Sequence, residues 1–380
     1  MKRIFLFLSA ALLSFGAILT SCSGKTGSSS TDRPDGDTIP LRYATNLTMV
    51  RHDGYVEATI RNPWDTTKTL HKYILTEKDK PQPSDLPEGT VIRLPLENAL
   101  VYSTVHTGLL QNLGAVDAIR GVCNPEYVRD PELKKRVEDG QIVDCGNSMA
   151  PDLERVIMLH PEAILLSPYE NNNQYGKVGE MGIPIVECAD YMENSPLARA
   201  EWMKFYGLLT GKEAEADSLF TLTESRYNQL KTMASKTSNR PKILMDSKYE
   251  QAWNVPAGLS TMGLFIKDAG GVNPFARFER TGSVALSPEQ VLKDAHDADI
   301  WLVRYNQPSE KTLKEFGSDV GINTQFEAYK NGNVFGCNAA HVGIFEEIPF
   351  HPDWLLEDFI SIFHPELGVE PTHKYFTRLK

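Results

Sequence analysis

Apolar and polar residues alternate along LTMVRHDGYVEATIRN, residues 47–62, on either side of Asp53-Gly54. A period of two interrupted by a turn dipeptide predicts a β-hairpin with one buried face. From about residue 97 the pattern changes. Short, continuously apolar runs recur between stretches of helical period: IRGVC (119–123), QIVDC (141–145), AILLS (163–167) and PIVEC (184–188), then KILMD (242–246), DIWLV (299–303) and NVFGC (333–337). Runs of this kind suit parallel strands covered by helices on both faces. They fall into two groups, separated by a long segment with no strand signal. The predicted fold class is α/β: two Rossmann-like α/β lobes bridged by one long α-helix, with an N-terminal β-hairpin.

The separating segment carries its own punctuation. Ser195-Pro196 predicts an N-cap and a first-turn proline, and Gly211 a helix stop. Thr210 and Glu213 then have the spacing of a capping box. Apolar residues at 216, 219, 220, 227, 230 and 234 hold one helical stripe to about Ser235. A helix of that length spans roughly 36 Å, enough to reach from one lobe to the other. A brace of this kind predicts small lobe movements, not wide closure. The expected division is therefore an N-terminal lobe with the hairpin at 41–209, a bridging helix at 210–240 and a C-terminal lobe at 241–380.

Before the hairpin, Lys2 and Arg3 precede an apolar stretch from Ile4 to Leu19, followed by Leu19-Thr20-Ser21-Cys22. That order of basic, apolar and small residues predicts a signal peptide over 1–21. LTSC resembles a bacterial lipobox, in which Cys22 becomes the lipid acceptor. Residues 22–40 then form a lipidated linker rich in Ser, Gly and Thr. No later segment is apolar enough to span a membrane. The expectation is a globular body in the cell envelope of a bacterium, tethered to a membrane by lipid and exposed to the periplasm, with the leaflet left open.

Composition refines this only in places. With 380 residues, 41% hydrophobic and 23% charged, the chain can bury a substantial core. A net charge of −11 argues against nucleic acid as a partner, because phosphate neutralisation needs a basic face. Four cysteines remain after Cys22, and export makes pairing feasible. Cys123 and Cys145 each close an apolar run and are the candidate disulfide, although spacing alone cannot bring their Cβ atoms together. No CxxC or Cys–His spacing is present, and the nine histidines are scattered without an HxH pair. No resident metal or cofactor is expected.

One phrase occurs twice. PDLERVIMLHPEAILL (151–166) returns as SPEQVLKDAHDADIWLV (287–303), with Glu154 and Glu289 in the same place after a capping Asp152 or Ser287. A carboxylate in a first helical turn is favoured by the helix dipole, and that alone accounts for either copy. These two segments, together with VYSTVHTGLLQNLGAVDAIRGV and GIPIVECADYMENSPLARAEWMKFYGLLTGKEAEAD, resemble in order and spacing the substrate-binding proteins of iron-complex and cobalamin ABC importers. The similarity covers roughly residues 90–365. It implies that Glu154 and Glu289 project from the two lobes and dock into arginine pockets of a permease dimer. Residues 341–354, HVGIFEEIPFHPDW, depart from the family's more usual Asn-Asp-Tyr/Phe-Trp-Glu region, which leaves the ligand open.

Lobed α/β folds bind ligands beyond the carboxyl ends of their strands. Residues just past the predicted strands are His106, Tyr169, Glu170, Asp190 and Tyr191 in the first lobe. In the second they are Trp253, Arg304, Tyr305, His341 and Phe345, with Arg277 and Arg280 in the loop GVNPFARFERTG. An aromatic cleft with several cations suits a large, planar or greasy, partly anionic ligand: an iron–siderophore, haem or a corrinoid. The expectation is a monomeric, non-enzymatic protein that captures such a chelated iron or cobalt compound and hands it to the permease. Three rivals stand beside it: a surface scavenger without a permease, a binder of free metal ions, and a hydrolase. The last rests on GLSTMG (258–263), whose second glycine is one residue late for G-x-S-x-G, so the segment reads as a turn opening a helix.

Overall fold

The computed structural model describes residues 36–170 and 175–380. The predicted signal peptide, Cys22 and nearly all of the linker lie outside these residues. Five strands come first: β1 (Asp37–Ile39), β2 (Leu47–His52), β3 (Tyr55–Arg61), β4 (Thr69–Glu77) and β5 (Thr90–Leu94), paired in sequence order. The predicted hairpin is β2–β3, with Gly54 at φ 81° in its turn. It is the middle of a larger sheet than the hairpin alone. Alternation along β3 buries Val56, Ala58 and Ile60 on one face. That face shares a core with Val101, Leu109, Trp202 and Phe205. The Tyr73 hydroxyl on β4 donates to the Ile185 carbonyl at 3.0 Å, tying the sheet to the lobe behind it.

The N-terminal lobe is built on β6 (Ala99–Val101), β7 (Ile119–Val122), β8 (Val143–Asp144), β11 (Ala163–Leu166) and β12 (Ile185–Glu187). All five run parallel, in the order β12-β11-β6-β7-β8. A two-residue-per-strand hairpin, β9 (Gly146–Asn147) and β10 (Ala150–Pro151), projects after β8. The helices are α1 (Thr104–Asn112), α2 (Pro131–Glu138), α3 (Leu153–Leu159), α4 (Gly176–Gly179), α5 (Pro196–Glu201) and α6 (Met203–Thr210). From β6 the chain adds strands on one side and then, at β11, on the other. The boundary between β6 and β11 is therefore the point where strand order reverses. Cys123 and Cys145 are free, buried thiols in the apolar cluster of Val156 and Ile164, not a disulfide. Burial pushes them up, to about 12 and about 11.

Helix α7 (Glu213–Ser235) is the predicted bridge, and its 23 residues extend about 35 Å. Ala216 and Phe220 belong to the core of the first lobe, Tyr227, Leu230 and Ala234 to that of the second. Ser195 caps α5 by accepting from the Ala198 N–H, and Gly211 ends α6 at φ 67°. The predicted capping box does not form. With Gly211 turning the chain, the Thr210 hydroxyl donates back to the Tyr206 carbonyl at 2.8 Å and Glu213 pairs with Arg51 at 2.6 Å.

The C-terminal lobe places β13 (Ile243–Met245), β16 (Ile300–Tyr305) and β17 (Val334–Asn338) in parallel, with β18 (Thr377–Arg378) antiparallel at the edge. An antiparallel ribbon, β14 (Trp253–Pro256) with β15 (Ser283–Leu286), is separate from that sheet. The helices are α8 (Thr261–Asp268), α9 (Pro288–Ala295), α10 (Leu313–Asp319), α11 (Glu327–Lys330), α12 (Ile344–Glu347) and α13 (Pro352–Phe363). Among the described residues, no helix is long and apolar enough to cross a membrane.

Candidate ligand cleft

A cavity of about 660 Å³ opens at the carboxyl ends of β6, β7, β8 and β11. This is where the strand order reverses, and where loops diverging on either side leave a crevice. Tyr102, Ser103 and Thr104 enter it from the turn into α1; Asn124 and Tyr127 come from the turn after β7. The β9–β10 hairpin contributes Asn147, Ser148 and Met149, and the segment after β11 contributes Ser167 and Tyr169. Tyr175, at the start of α4, completes the wall and donates its hydroxyl proton to Glu187 on β12. Glu187 is buried, and the His71 ring of the N-terminal sheet lies 3.3 Å from its other oxygen.

A second cavity, of about 450 Å³, lies between the lobes. Tyr191 and Met192 line it from the first lobe; Asp246, Ser260, Thr261 and Arg304 line it from the second. Arg304 grips Asp246 bidentately, at 2.9 and 2.6 Å, and its guanidinium lies 5.8 Å from the ring centre of Phe345. Tyr191 donates to the Pro168 carbonyl, next to Tyr169 of the first cavity. Arg129 crosses between lobes to the carbonyls of Ala339 and Ala340, and the Thr104 hydroxyl reaches Glu346 at 3.4 Å.

Tyr169, Tyr191 and Arg304 thus stand in cavity walls, but five other predicted ligand residues are elsewhere. Trp253 is 0% exposed, packed with Trp301 and Phe326 because the β14–β15 ribbon turns it inward. His106 is 2% exposed, and its ring faces the buried Asp190 at 2.9 Å. Burial raises Asp190, but the His106 ring and Arg199 outweigh it and hold the carboxyl down at about 2. Tyr305 and His341 meet on Glu310, at 2.8 and 2.6 Å, in a polar cluster of the C-terminal lobe outside both cavity walls. Arg280 is exposed and borders Thr281 without joining the wall itself. Ser260 is occupied as the cap of α8, donating to the Ala257 carbonyl and accepting from the Gly263 N–H, which agrees with the turn reading of GLSTMG. Among the described residues, no group of three or more His, Cys, Asp or Glu is arranged to hold a metal ion.

Glu154 and Glu289 occupy matching places, each exposed in the first turn of its helix. The Asp152 carboxylate caps α3 and the Ser287 hydroxyl caps α9. Hydrogen bonds from its own backbone N–H and from Ser287 hold the Glu289 carboxyl below its ordinary value.

Residues 100–340, well over half of the chain, match the family model described as periplasmic binding protein. The chain belongs to the periplasmic binding protein family. This periplasmic binding protein is 30% identical over 355 residues to an uncharacterized lipoprotein of Methanocaldococcus jannaschii, a match that takes in 86% of this chain and 82% of that protein. Its fold is that of an ABC-type ferric-hydroxamate transport system protein from Saccharomonospora viridis, with TM-score 0.54 and 16% identity over 71% of this chain and 94% of that one. IsdE of S. aureus, solved with haem bound, gives TM-score 0.52 and 20% identity over 70% and 98% of the two chains. These two neighbours cover less of the chain than the archaeal lipoprotein does.

Proposed function

We propose that this periplasmic binding protein is a lipid-anchored substrate-binding protein of an ABC importer. It captures a chelated metal compound (an iron–siderophore, haem or a corrinoid) in the cleft and delivers it to the permease. The observation that carries this reading is the large cavity at the strand-order reversal of the first lobe. It is walled by tyrosines, hydroxyls and amides, with no His, Cys, Asp or Glu among its lining residues. Such a wall holds a ligand through its organic surface, leaving the metal to the ligand's own donors. Lipid on Cys22 would keep the protein at the membrane beside its partner, and Glu154 and Glu289 would make the contacts with permease arginines. The ferric-hydroxamate and haem associations of two structural neighbours support the ligand range.

The test is native mass spectrometry and an absorption spectrum of the protein purified from its own host. The expected result is one co-purifying organic chelate with its charge-transfer or macrocycle bands. A protein that carries and binds only bare metal ions would overturn the reading.

A further inference from the structure

Of the three cations expected to attract an anionic ligand, Arg304 and Arg277 are committed within the protein, while Arg280 is exposed and stands outside both cavity walls. Arg304 is bound at both ends of its fork to the Asp246 carboxylate. Arg129 donates to the carbonyls of Ala339 and Ala340, with Glu346 at 3.9 Å. Arg277 is paired with Asp294 and stacked on Phe278. Along the wall of the larger cavity, every contributing residue is uncharged. The smaller cavity adds Arg304, Asp246 and Glu193, one more negative group than positive. Glu193 already accepts from the backbone N–H groups of Thr45 and Asn46 and from the Trp202 indole.

Burial holds three of the wall tyrosines, Tyr102, Tyr175 and Tyr191, above their ordinary values, so they add no anions to the walls. A polyanion entering this cleft would lose water without gaining a counter-charge, the arrangement that costs most in a low-dielectric site.

Resting on the importer reading above, we infer that the cleft selects a chelate of net neutral or positive charge, held through amide and hydrocarbon surface, and discriminates against polyanionic chelates. Two ligand sources share that chemistry: a corrinoid carrying amide side chains, and a ferric trihydroxamate carrying an ammonium group. The Asp246–Arg304 pair acts as the filter. Asp246 sits at φ 59°, a conformation that asparagine tolerates, so Asp246→Asn releases the guanidinium without disturbing the backbone.

The experiment is calorimetric titration of the detergent-solubilised full-length lipoprotein with four probes: cyanocobalamin, ferrioxamine B, haemin and a ferric tris-catecholate. Either of the first two should bind at least about 100-fold tighter than both of the last two, the scale of an unpaired buried charge. Which of the two binds identifies the source. Asp246→Asn should strengthen the anionic probes by about tenfold or more, weaken ferrioxamine B and change cyanocobalamin least. Haemin or tris-catecholate binding as tightly as the others to the unaltered protein would overturn the charge inference and leave the importer reading intact. An unaltered preference in Asp246→Asn would remove the pair from the role of filter. Binding of none of the four would overturn both.

Discussion

Trp253 lies stacked on Trp301, ring centres 5.5 Å apart and planes 21° from parallel, with Phe326 packed against both. Its indole N–H reaches the Met245 carbonyl at 3.3 Å. This tryptophan is a core residue of the second lobe. Trp253→Ala should destabilise the protein by about 3–5 kcal/mol, the cost of emptying a large aromatic site. Ligand affinity per folded molecule should stay unchanged. Denaturant melts with titrations on the folded fraction check both halves; lost affinity at unchanged stability would return Trp253 to the cleft.

The same residue shows where sequence reading stops. Strands β7, β8, β11, β12, β13, β16 and β17 fall on the predicted apolar runs, and α7 and the Ser195 and Gly211 signals fall where expected, because each is a local periodicity or cap. A strand end tells only that the chain leaves the sheet. Which way the next side chain points is decided by partners far away, such as β15 pairing with β14 to turn Trp253 inward. For the same reason His106, one turn into α1, faces Asp190 and not the crevice. Tyr102, Tyr127, Met149 and Tyr175 were reachable by the strand-end rule, since they follow β6, β7, β8 and β11. They carry no charge and no motif, so nothing local distinguishes them. β4 and β5 carry alternating or apolar runs of their own, but their parallel pairing is not a local signal.

Asp190 is buried between His106, Arg199 and Tyr206, at 2.9, 3.0 and 2.9 Å. Its folded value of about 2 lies below the unfolded one near 3.8. A depressed carboxyl contributes stability that is fully present above the unfolded value and is lost as pH falls toward the folded one. Asp190→Asn should therefore cost about 3 kcal/mol at neutral pH by leaving Arg199 and His106 without their carboxylate. That deficit should shrink as pH falls from about 4 to about 2. Denaturant unfolding of both proteins across this range measures it; a pH-independent deficit would contradict the assignment.

Asp358 on α13 behaves in the opposite sense. One of its oxygens accepts from the backbone N–H groups of Tyr375 and Phe376, at 3.0 and 2.9 Å, pinning the segment that leads into β18. Its other oxygen is buried without a partner, and burial pushes the carboxyl up to about 7. A raised carboxyl binds its proton more tightly in the folded state, so stability declines as pH rises from about 4 to about 7. Asn keeps the acceptor and removes the titration. Asp358→Asn should raise the Tm at pH 8 by several degrees and change it little at pH 4. A loss of stability at pH 8 would show that the charged carboxylate is the form the fold requires.

Glu154 and Glu289 share a position but not surroundings. On α3, Ile157 and Met158 are 54% and 79% exposed, three and four residues beyond Glu154 and so on the same helical face. On α9 the corresponding residues are the half-buried Leu292 and the exposed Lys293. Under the importer reading, the first lobe presents a carboxylate rimmed by greasy side chains and the second a carboxylate in a polar field. Replacing both glutamates with glutamine keeps their shape and removes the charge from a charge-assisted pair. Ligand affinity in solution should be unchanged, because neither residue lines a cavity. Affinity for the permease should fall by roughly 10- to 100-fold, the scale of lost interfacial charge pairs. The two single effects should add, because the side chains belong to separate lobes. Salt should separate them further. Raising ionic strength should weaken docking of Glu154→Gln more steeply than docking of Glu289→Gln, because the apolar rim of α3 is insensitive to screening while the remaining Glu289 contact is not. Permease binding in nanodiscs at two salt concentrations, with uptake by cells carrying the double variant at normal abundance, decides the matter. Uptake at the unaltered rate would leave the repeated glutamates as helix-capping charges and nothing more.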